Sequence, residues 1–310
     1  MIGVVVSDAQ GDVRIQSYPV PKGAHPHDVA PNPAGGFVWY TAQHQAALGR
    51  LDPATGHTKH IPLGEGSRPH GVIVGPAGLA WVTDSGLNAI VSVNPRTEEV
   101  TRYYLPANIG YTNLNTAAFD KKGVLWFTGQ SGFYGRLNVA TKELQVFAAP
   151  RGYGPYGIAA TPRGEIWYVS LAGSYLALVD TDTSEVNVFE PPTDAAGTRR
   201  VWSDSAGNLW VSEWKARQIA QYNPATGSWR EWKLPGTAPA AYAVYVDETD
   251  RIWISDFGAN SVLRFDPTKE TFESFLIPRP GAAVRQMLGR PGEVWTAESG
   301  TDRLTVYRFD

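Results

Sequence analysis

Hydrophobic and polar residues alternate along this chain in many short stretches, and the same arrangement returns at a nearly constant interval. Stretches such as Ile90-Val91-Ser92-Val93 and Val262-Leu263-Arg264-Phe265 predict β-strands with one buried face. Turn dipeptides such as Asp52-Pro53 and Asn94-Pro95 separate these stretches. Because no segment keeps a helical period, we expect no helix of consequence.

One tryptophan marks each repeat. Successive tryptophans at this position are 41 to 45 residues apart, the length of a four-stranded propeller blade. They are Trp39, Trp81, Trp126, Trp167, Trp210, Trp253 and Trp295. Three residues before each one stands a glycine, or Asp250 in one repeat, as a hairpin turn with positive φ requires. We interpret these tryptophans as packing between blades, not as a ligand-stacking platform.

The two ends of the chain are expected to share one blade. After Trp295 the sequence offers a third strand, Leu304 to Phe309, whereas a fourth-strand pattern occurs at Val13 to Val20. Pairing these strands would close the ring and remove a free sheet edge. The sequence therefore predicts an all-β, seven-bladed β-propeller with four-stranded blades, in which residues 1–310 form a single domain and the N-terminal strand closes the last blade.

The amino-acid composition and net charge argue against several classes of binding partner. The chain has 310 residues, no cysteine and a formal net charge of -3, which excludes disulfides and argues against nucleic-acid binding. No stretch is long and apolar enough for a transmembrane helix, and the N-terminus lacks the features of a signal peptide. We expect a cytoplasmic monomer with no membrane partner; a secreted form that has lost its signal peptide is the alternative.

The central channel holds the candidate chemistry. In a propeller, the residue about eleven positions before each tryptophan should lie at the channel mouth, and none of these seven residues is aliphatic. They are His27, His70, Asn115, Tyr156, Arg199, Tyr242 and Arg285. Histidine, tyrosine and arginine transfer protons or neutralise oxyanions. A wet channel is the simpler interpretation of any one member, but the whole set favours an enzyme acting on a small molecule or an oligosaccharide.

A second ring lies three residues after each tryptophan and contains four carboxylates: Asp84, Glu213, Asp256 and Glu298. Carboxylate oxygens are ligands that Mg²⁺ prefers, so these residues are candidate metal ligands. Four further residues near this ring are expected to contact a substrate: Gln43, His44, Gln130 and Trp214.

The blade signature resembles the virginiamycin B lyase (streptogramin lyase) family over essentially the whole chain. It combines Pro-[His/Tyr]-Gly-[Ile/Val], as at Pro69-His70-Gly71, with Gly-x-[Ile/Leu]-Trp and an acid, as in Gly207 to Trp214. Members of this family open the ester ring of type B streptogramin antibiotics by elimination, with a histidine base and Mg²⁺ held by glutamates. The resemblance thus implies a role in antibiotic resistance.

The resemblance also implies site residues. It places a base at His70, a second channel histidine at His27, and metal-binding acids among Glu298, Glu213 and Asp84. In the lyases the two histidine motifs lie in the last two blades, where this chain has Tyr242 and Arg285. The acid two positions before the family's base is replaced here by Arg68 or His25.

Three hypotheses of function follow. The first is a carbon–oxygen lyase acting by β-elimination on a lactone, a depsipeptide or a uronate-containing substrate. In this hypothesis His70 or His27 removes a proton, Tyr156 or Tyr242 protonates the leaving oxygen, and the arginines Arg199 and Arg285 stabilise the charge that develops. The second is a hydrolase or lactonase whose channel carboxylates hold a divalent ion that activates water. The third is a rigid binding disc without catalysis.

Overall fold

The strands are short and antiparallel throughout the computed structural model, which describes residues 6–10 and 12–309. The first described strands are β1 (Val6–Gln10) and β2 (Val13–Pro19). Blade 1 contains β3 (Pro26–Pro31), β4 (Val38–Ala42), β5 (Ala47–Leu51) and β6 (Thr58–Pro62). Blade 2 contains β7 (Pro69–Val74), β8 (Ala80–Asp84), β9 (Ala89–Val93) and β10 (Val100–Tyr104). Blade 3 contains β11 (Leu114–Phe119), β12 (Val124–Gly129), β13 (Phe133–Asn138) and β14 (Glu143–Ala148).

The remaining blades continue the same order. Blade 4 contains β15 (Pro155–Ala160), β16 (Ile166–Ser170), β17 (Tyr175–Val179) and β18 (Val186–Phe189). Blade 5 contains β19 (Thr198–Ser203), β20 (Leu209–Glu213), β21 (Gln218–Asn223) and β22 (Ser228–Lys233). Blade 6 contains β23 (Ala241–Val246), β24 (Ile252–Asp256), β25 (Ser261–Asp266) and β26 (Thr271–Leu276). Blade 7 contains β27 (Val284–Arg290), β28 (Glu293–Glu298) and β29 (Arg303–Arg308).

The first strand of each blade is the innermost, and these strands form a closed ring. Each contacts the first strand of the next blade, and β27 contacts β3. Strand β2 pairs with β29, so the predicted seven-bladed propeller and its N-terminal closing strand are confirmed. The closing sheet has one strand more than predicted, because β1 adds to the outer side of β2.

Helical structure within residues 6–10 and 12–309 is limited to two single turns of 3₁₀-helix, Gln43–Gln45 and Ala107–Ile109. That part of the chain contains no helix long and apolar enough to cross a membrane.

The repeated tryptophans are buried between blades, as predicted. Trp210 in blade 5, for example, contacts Phe265 of blade 6, with ring centroids 5.9 Å apart, and stacks on Trp232 of its own outer strand at 5.4 Å. Its indole N–H donates to Asp204, six residues earlier, at 3.0 Å. The residues three positions before the tryptophans all have positive φ, including Asp250 at 58°. The repeat thus encodes both the hairpin turn and the core of each blade.

A hydroxyl on the second strand joins each of several blades to the next. Thr41 accepts a hydrogen bond from the backbone N–H of Asp28 at 2.9 Å and donates to the carbonyl oxygen of His70 at 2.9 Å. Thr83, Thr128 and Ser212 donate in the same way to the carbonyls of Asn115, Tyr156 and Tyr242. These bonds fix the backbone of the predicted channel residues from the neighbouring blade.

Replacing Thr41 by valine is expected to lower the free energy of unfolding by about 1–3 kcal/mol, because it leaves a buried N–H and a buried carbonyl without this partner. Blade 4 already has valine at this position, Val169. The reverse change, Val169→Thr, restores the usual residue of the repeat and should cost little. Denaturant unfolding measures both variants, and equal costs would contradict the bridging role of the hydroxyl.

Candidate active site in the central channel

An irregularity common to all seven innermost strands places the channel side chains. In each strand the pairing with the second strand shifts by one residue near the channel mouth. Such a β-bulge re-aims side chains that a regular strand would alternate between its faces. The seven predicted channel residues, which we call the upper ring, lie in the strand segments where the register shifts. The residues that follow them line the next layer of the channel, which we call the lower layer: Asp28, Gly71, Thr116, Gly157, Arg200, Ala243 and Gln286.

Two histidines from adjacent blades lie against each other in the upper ring. The rings of His27 and His70 have centroids 3.8 Å apart and planes inclined by 43°, and both side chains are buried. His70 Nδ1 lies 3.0 Å from the carbonyl oxygen of Asn115. Because a carbonyl can only accept, His70 Nδ1 carries the hydrogen and Nε2 carries the lone pair. His27 Nδ1 lies 2.7 Å from Asp28 Oδ1.

Both histidines are held in the neutral form. Burial, reinforced by the charge of Arg200, lowers the pKa of His27 well below its ordinary value of 6.5. Burial also lowers the pKa of His70 well below 6.5, and His27 adds to this effect. Each ring therefore presents a nitrogen lone pair at neutral pH.

An ion pair crosses the channel directly below the histidines. Nη2 of Arg200, in blade 5, lies 3.4 Å from Oδ1 of Asp28, in blade 1, and both side chains are buried. The same guanidinium lies 3.4 Å from Asn115 Oδ1 and 3.4 Å from the carbonyl oxygen of Arg285. Burial raises the pKa of Asp28, and Arg200 opposes this shift. Asp28 thereby links a histidine to a cation.

A pair of tyrosine hydroxyls lies on the other side of the upper ring. Tyr156 and Tyr242 have their hydroxyl oxygens 2.7 Å apart. Arg199 donates to the Tyr156 hydroxyl at 3.0 Å, and Arg285 lies 3.4 Å from that of Tyr242. The rings of Tyr156 and His70 are nearly perpendicular, with centroids 6.5 Å apart. The two tyrosines therefore join the histidine side of the channel to the arginine side.

The environment separates the acidities of the two phenols. Burial raises the pKa of Tyr156 to about 12, with the neighbouring Tyr242 adding to the shift. Burial acts on Tyr242 in the same direction, but the charges of Arg199, Arg200 and Arg285 and the hydrogen bond with Tyr156 together hold its pKa below its ordinary value. Tyr242 is the better proton donor of the pair, and Tyr156 keeps its proton.

The upper ring is thus assembled as the sequence predicts. Contacts between these side chains, or with Arg200, link all seven predicted residues, and Arg199 stands at the centre of the aromatic part. Its Cζ lies 3.6 Å from the ring centroid of Tyr242 and 4.7 Å from that of Trp214, another predicted contact residue. The roles of these residues in catalysis and binding remain predictions.

Three predicted contact residues have their partners outside the upper ring. His44 stacks on His25, with centroids 4.0 Å apart. Gln130 uses its backbone to bond Asn113 and Gly154, and Gln43 begins a 3₁₀ turn. No hydrogen bond or ring contact among the described residues joins Gln43, His44 or Gln130 to the upper ring.

The predicted carboxylate ring has local structural partners instead of a shared centre. Asp84 accepts hydrogen bonds from the backbone N–H groups of Arg68, Gly86 and Leu87. Asp256 binds the equivalent backbone groups of blade 6, those of Ala240, Gly258 and Ala259. These two acids cap the turns at the channel face.

The two glutamates of that ring are also engaged within their own blades. Glu298 forms an ion pair with Arg279 at 2.9 Å. Glu213 binds the side-chain amide of Gln218, and burial raises its pKa to about 7. A hard cation needs several ionised oxygens around one point, and no three of the four acids form such a group in the described part of the chain. The residues present therefore do not fit Mg²⁺ in the way the family resemblance implies.

A different cluster of side chains in the channel has the atoms to hold a metal ion. His27, Asp28 and His70 have possible ligand atoms within 4.8 Å of one another, two nitrogens and an oxygen that suit a transition metal better than Mg²⁺. Arg200 already neutralises the carboxylate of this cluster.

Sequence reasoning missed the lower layer of the site. Asp28 and Arg200 stand next to predicted residues, and strand alternation alone would turn them away from the channel. The dipeptides His27-Asp28 and Arg199-Arg200 are the sequence features that could have indicated this layer. A β-bulge at this place brings both members of each pair to the channel.

Comparison with known proteins identifies a matching family and solved structures that share this fold. The sequence model of the virginiamycin B lyase family matches residues 3–236. The structure of virginiamycin B lyase from Staphylococcus aureus is 17% identical, with a TM-score of 0.88 over 96% of this chain and 100% of that chain. A streptogramin B lyase structure is 20% identical, with a TM-score of 0.88 over 98% of this chain and 100% of that chain. At these identities the structural likeness shows the shared fold.

A curated relative matches locally. Gluconolactonase from Zymomonas mobilis subsp. mobilis is 33% identical over 96 residues, which cover 29% of this chain and 26% of that protein. The chain thus spans about a quarter of the length of this relative.

Proposed function

Because this chain belongs to the virginiamycin B lyase family, we propose that its channel cleaves a carbon–oxygen bond by β-elimination. One observation carries this proposal: two buried histidines in contact and a hydrogen-bonded pair of buried tyrosines lie in the same upper ring. Elimination needs a base that takes a proton from carbon and an acid that gives one to the leaving oxygen. The upper ring supplies both kinds of group.

His27 is the proposed base. Its Nδ1 is held by the carboxylate of Asp28, at 2.7 Å, so Nε2 is the nitrogen that can accept a proton. A carboxylate at Nδ1 stabilises the imidazolium that forms, as in other histidine–aspartate pairs. His70 has only the neutral carbonyl of Asn115 at the corresponding nitrogen. His70 therefore positions His27 through their ring contact.

The tyrosine pair is the proposed acid. Tyr242 has the lower pKa and donates to the leaving oxygen, and the hydroxyl of Tyr156, 2.7 Å away, keeps its proton and donates a hydrogen bond to the Tyr242 oxygen. Arg199 and Arg285 adjoin this pair and stabilise the negative charge that develops on the substrate.

The proposed step balances without water or a cofactor. Nε2 of His27 removes the proton from the carbon next to a carbonyl group, and the released electron pair forms a carbon–carbon double bond. The bond between the next carbon and its oxygen breaks, and Tyr242 protonates that oxygen. Ring opening of a lactone in this way leaves the mass unchanged.

The decisive experiment follows product mass with two substrates, a type B streptogramin and a 4-linked oligouronate, with and without EDTA. We expect an elimination product from one of them: a linear antibiotic of unchanged mass, or an unsaturated uronate that absorbs in the ultraviolet. EDTA should have no effect, because the acids that the family resemblance assigns to Mg²⁺ are engaged elsewhere. Absence of product from both substrates would favour a propeller that only binds its ligand.

Metal-assisted lactone hydrolysis is the second candidate. The cluster of His27, Asp28 and His70 and the local match to a gluconolactonase favour it. In that case the lactone product would be heavier by one water, and EDTA would abolish its formation.

A further inference from the structure

Two cations in the upper ring lack counter-ions. Among residues 12–309, the only arginine–carboxylate pair in this part of the channel joins Arg200 to Asp28, whose carboxylate also contacts His27. Arg199 and Arg285 form no ion pair with a described carboxylate; their recorded hydrogen bonds go to the hydroxyls of Tyr156, Tyr242 and Ser299. Both side chains are only partly buried, whereas the tyrosines are buried.

The charges of the site do not balance. Three guanidinium groups, those of Arg199, Arg200 and Arg285, face one carboxylate, that of Asp28, so positive charges outnumber negative ones. Holding like charges together in a poorly solvated channel is costly unless an anion joins them. Nε of Arg199 is also buried without an acceptor. The site is therefore arranged for a negatively charged ligand.

Arginine favours one kind of anion here. Its planar guanidinium binds a carboxylate through two parallel hydrogen bonds, and Arg199 is held in place by stacking on Tyr242 and Trp214. A hydrogen on the carbon next to a carboxylate is only weakly acidic, because its removal places a second negative charge on the group. Two adjacent cations neutralise that charge and make the removal feasible.

We propose that the substrate carries a carboxylate on the carbon that loses its proton, as a 4-linked uronate does, and that Arg199 and Arg285 bind this carboxylate. This inference rests on the proposed elimination. The base takes the proton at C5, the C4–C5 double bond forms, and the C4–oxygen bond to the neighbouring sugar breaks while a tyrosine protonates the oxygen.

The test separates binding from chemistry. Titration calorimetry with trigalacturonate and with its methyl ester measures the requirement for charge, since the ester keeps the acidic hydrogen but lacks the negative charge. His27→Gln protein provides a form that cannot turn the ligand over. We expect the free acid to bind about tenfold or more tightly than the ester. Arg199→Met or Arg285→Met should remove this difference.

A matched control is Arg68→Met. Arg68 is exposed in the loop that leads to His70, outside the upper ring, and its loss should leave the preference for the free acid unchanged. Thermal unfolding of each variant shows whether the fold is retained, and Arg199→Lys keeps the charge while losing the two-point contact.

The outcomes distinguish the two proposals. Tight binding of the free acid without product would uphold the carboxylate site and overturn the elimination. Elimination of a neutral streptogramin at equal rates by the unaltered protein and Arg199→Met would uphold the elimination and overturn the carboxylate site. Equal binding of acid and ester, or binding of neither, would also overturn it.

Discussion

A protein with glutamine in place of His27 is expected to carry out the elimination roughly 10²–10⁴ times more slowly than the unaltered chain, because it loses its general base. Glutamine approximates the size of the ring and can still contact Asp28, so the ion pair with Arg200 should survive. The loss should appear in kcat, since the base acts on bound substrate. Steady-state kinetics on the substrate that gives product measures it.

The neighbouring residues provide the comparison. His70→Gln removes a ring that contacts His27 but keeps the proposed base, and its effect should be clearly smaller. Asp28→Asn should lower kcat and also move the acidic limb of the pH–rate profile to lower pH, because the imidazolium loses its stabilising carboxylate. A purely structural role for Asp28 would leave that limb in place. A greater loss for His70→Gln than for His27→Gln would assign the base to His70 instead.

The free energy of unfolding is expected to decrease as the pH falls below 6.5. His27 and His70 have folded-state pKa values well below 6.5, the ordinary value, mainly because they are buried. In this pH range the unfolded chain binds protons that the folded protein does not bind, so acid favours unfolding. The slope should approach roughly 1.4 kcal/mol per pH unit for each histidine. Denaturant unfolding at a series of pH values measures it.

Substitutions isolate the histidine contribution from those of Asp28 and Glu213, whose raised pKa values act in the opposite sense. The slope below pH 6.5 should diminish in His70→Gln and diminish further when His27 is also replaced. His57→Gln, which changes an exposed histidine just before the outer strand β6, should leave the slope as it is. A slope unchanged by loss of both channel histidines would show that their burial does not control the acid stability.

The blade architecture could be predicted because each blade repeats the same physical requirements. A tryptophan fills the space between blades, and a residue with positive φ, such as Gly207 or Asp250, makes the hairpin before it. Periodicity also located the upper ring, since equivalent positions in a ring of blades lie at the same height. One deviation, the additional strand β1, has no counterpart in the repeat and so left no periodic pattern to detect.

The lower layer of the channel and the contacts of the four acids in the second ring could not be predicted from the periodicity of the sequence. Asp28 and Arg200 reach the channel only because a bulge interrupts the alternation of the strand, and one sequence does not reveal where alternation fails. Asp84 looks like a metal ligand by position, but the Asp84-Ser85-Gly86 sequence is also a turn whose N–H groups need an acceptor. Composition alone cannot distinguish these two uses of a carboxylate.

The pairing of β2 with β29 closes the ring of blades between the N-terminal and C-terminal strands. Hydrogen bonds, not peptide bonds, join the ends there, so blade 7 and blade 1 are neighbours although they lie at opposite ends of the sequence. A histidine pair in the first two blades and one in the last two differ by a rotation about the axis. Alignment of linear sequences treats such pairs as unrelated. Channel residues of related propellers should therefore be compared in circular order, allowing rotation by whole blades.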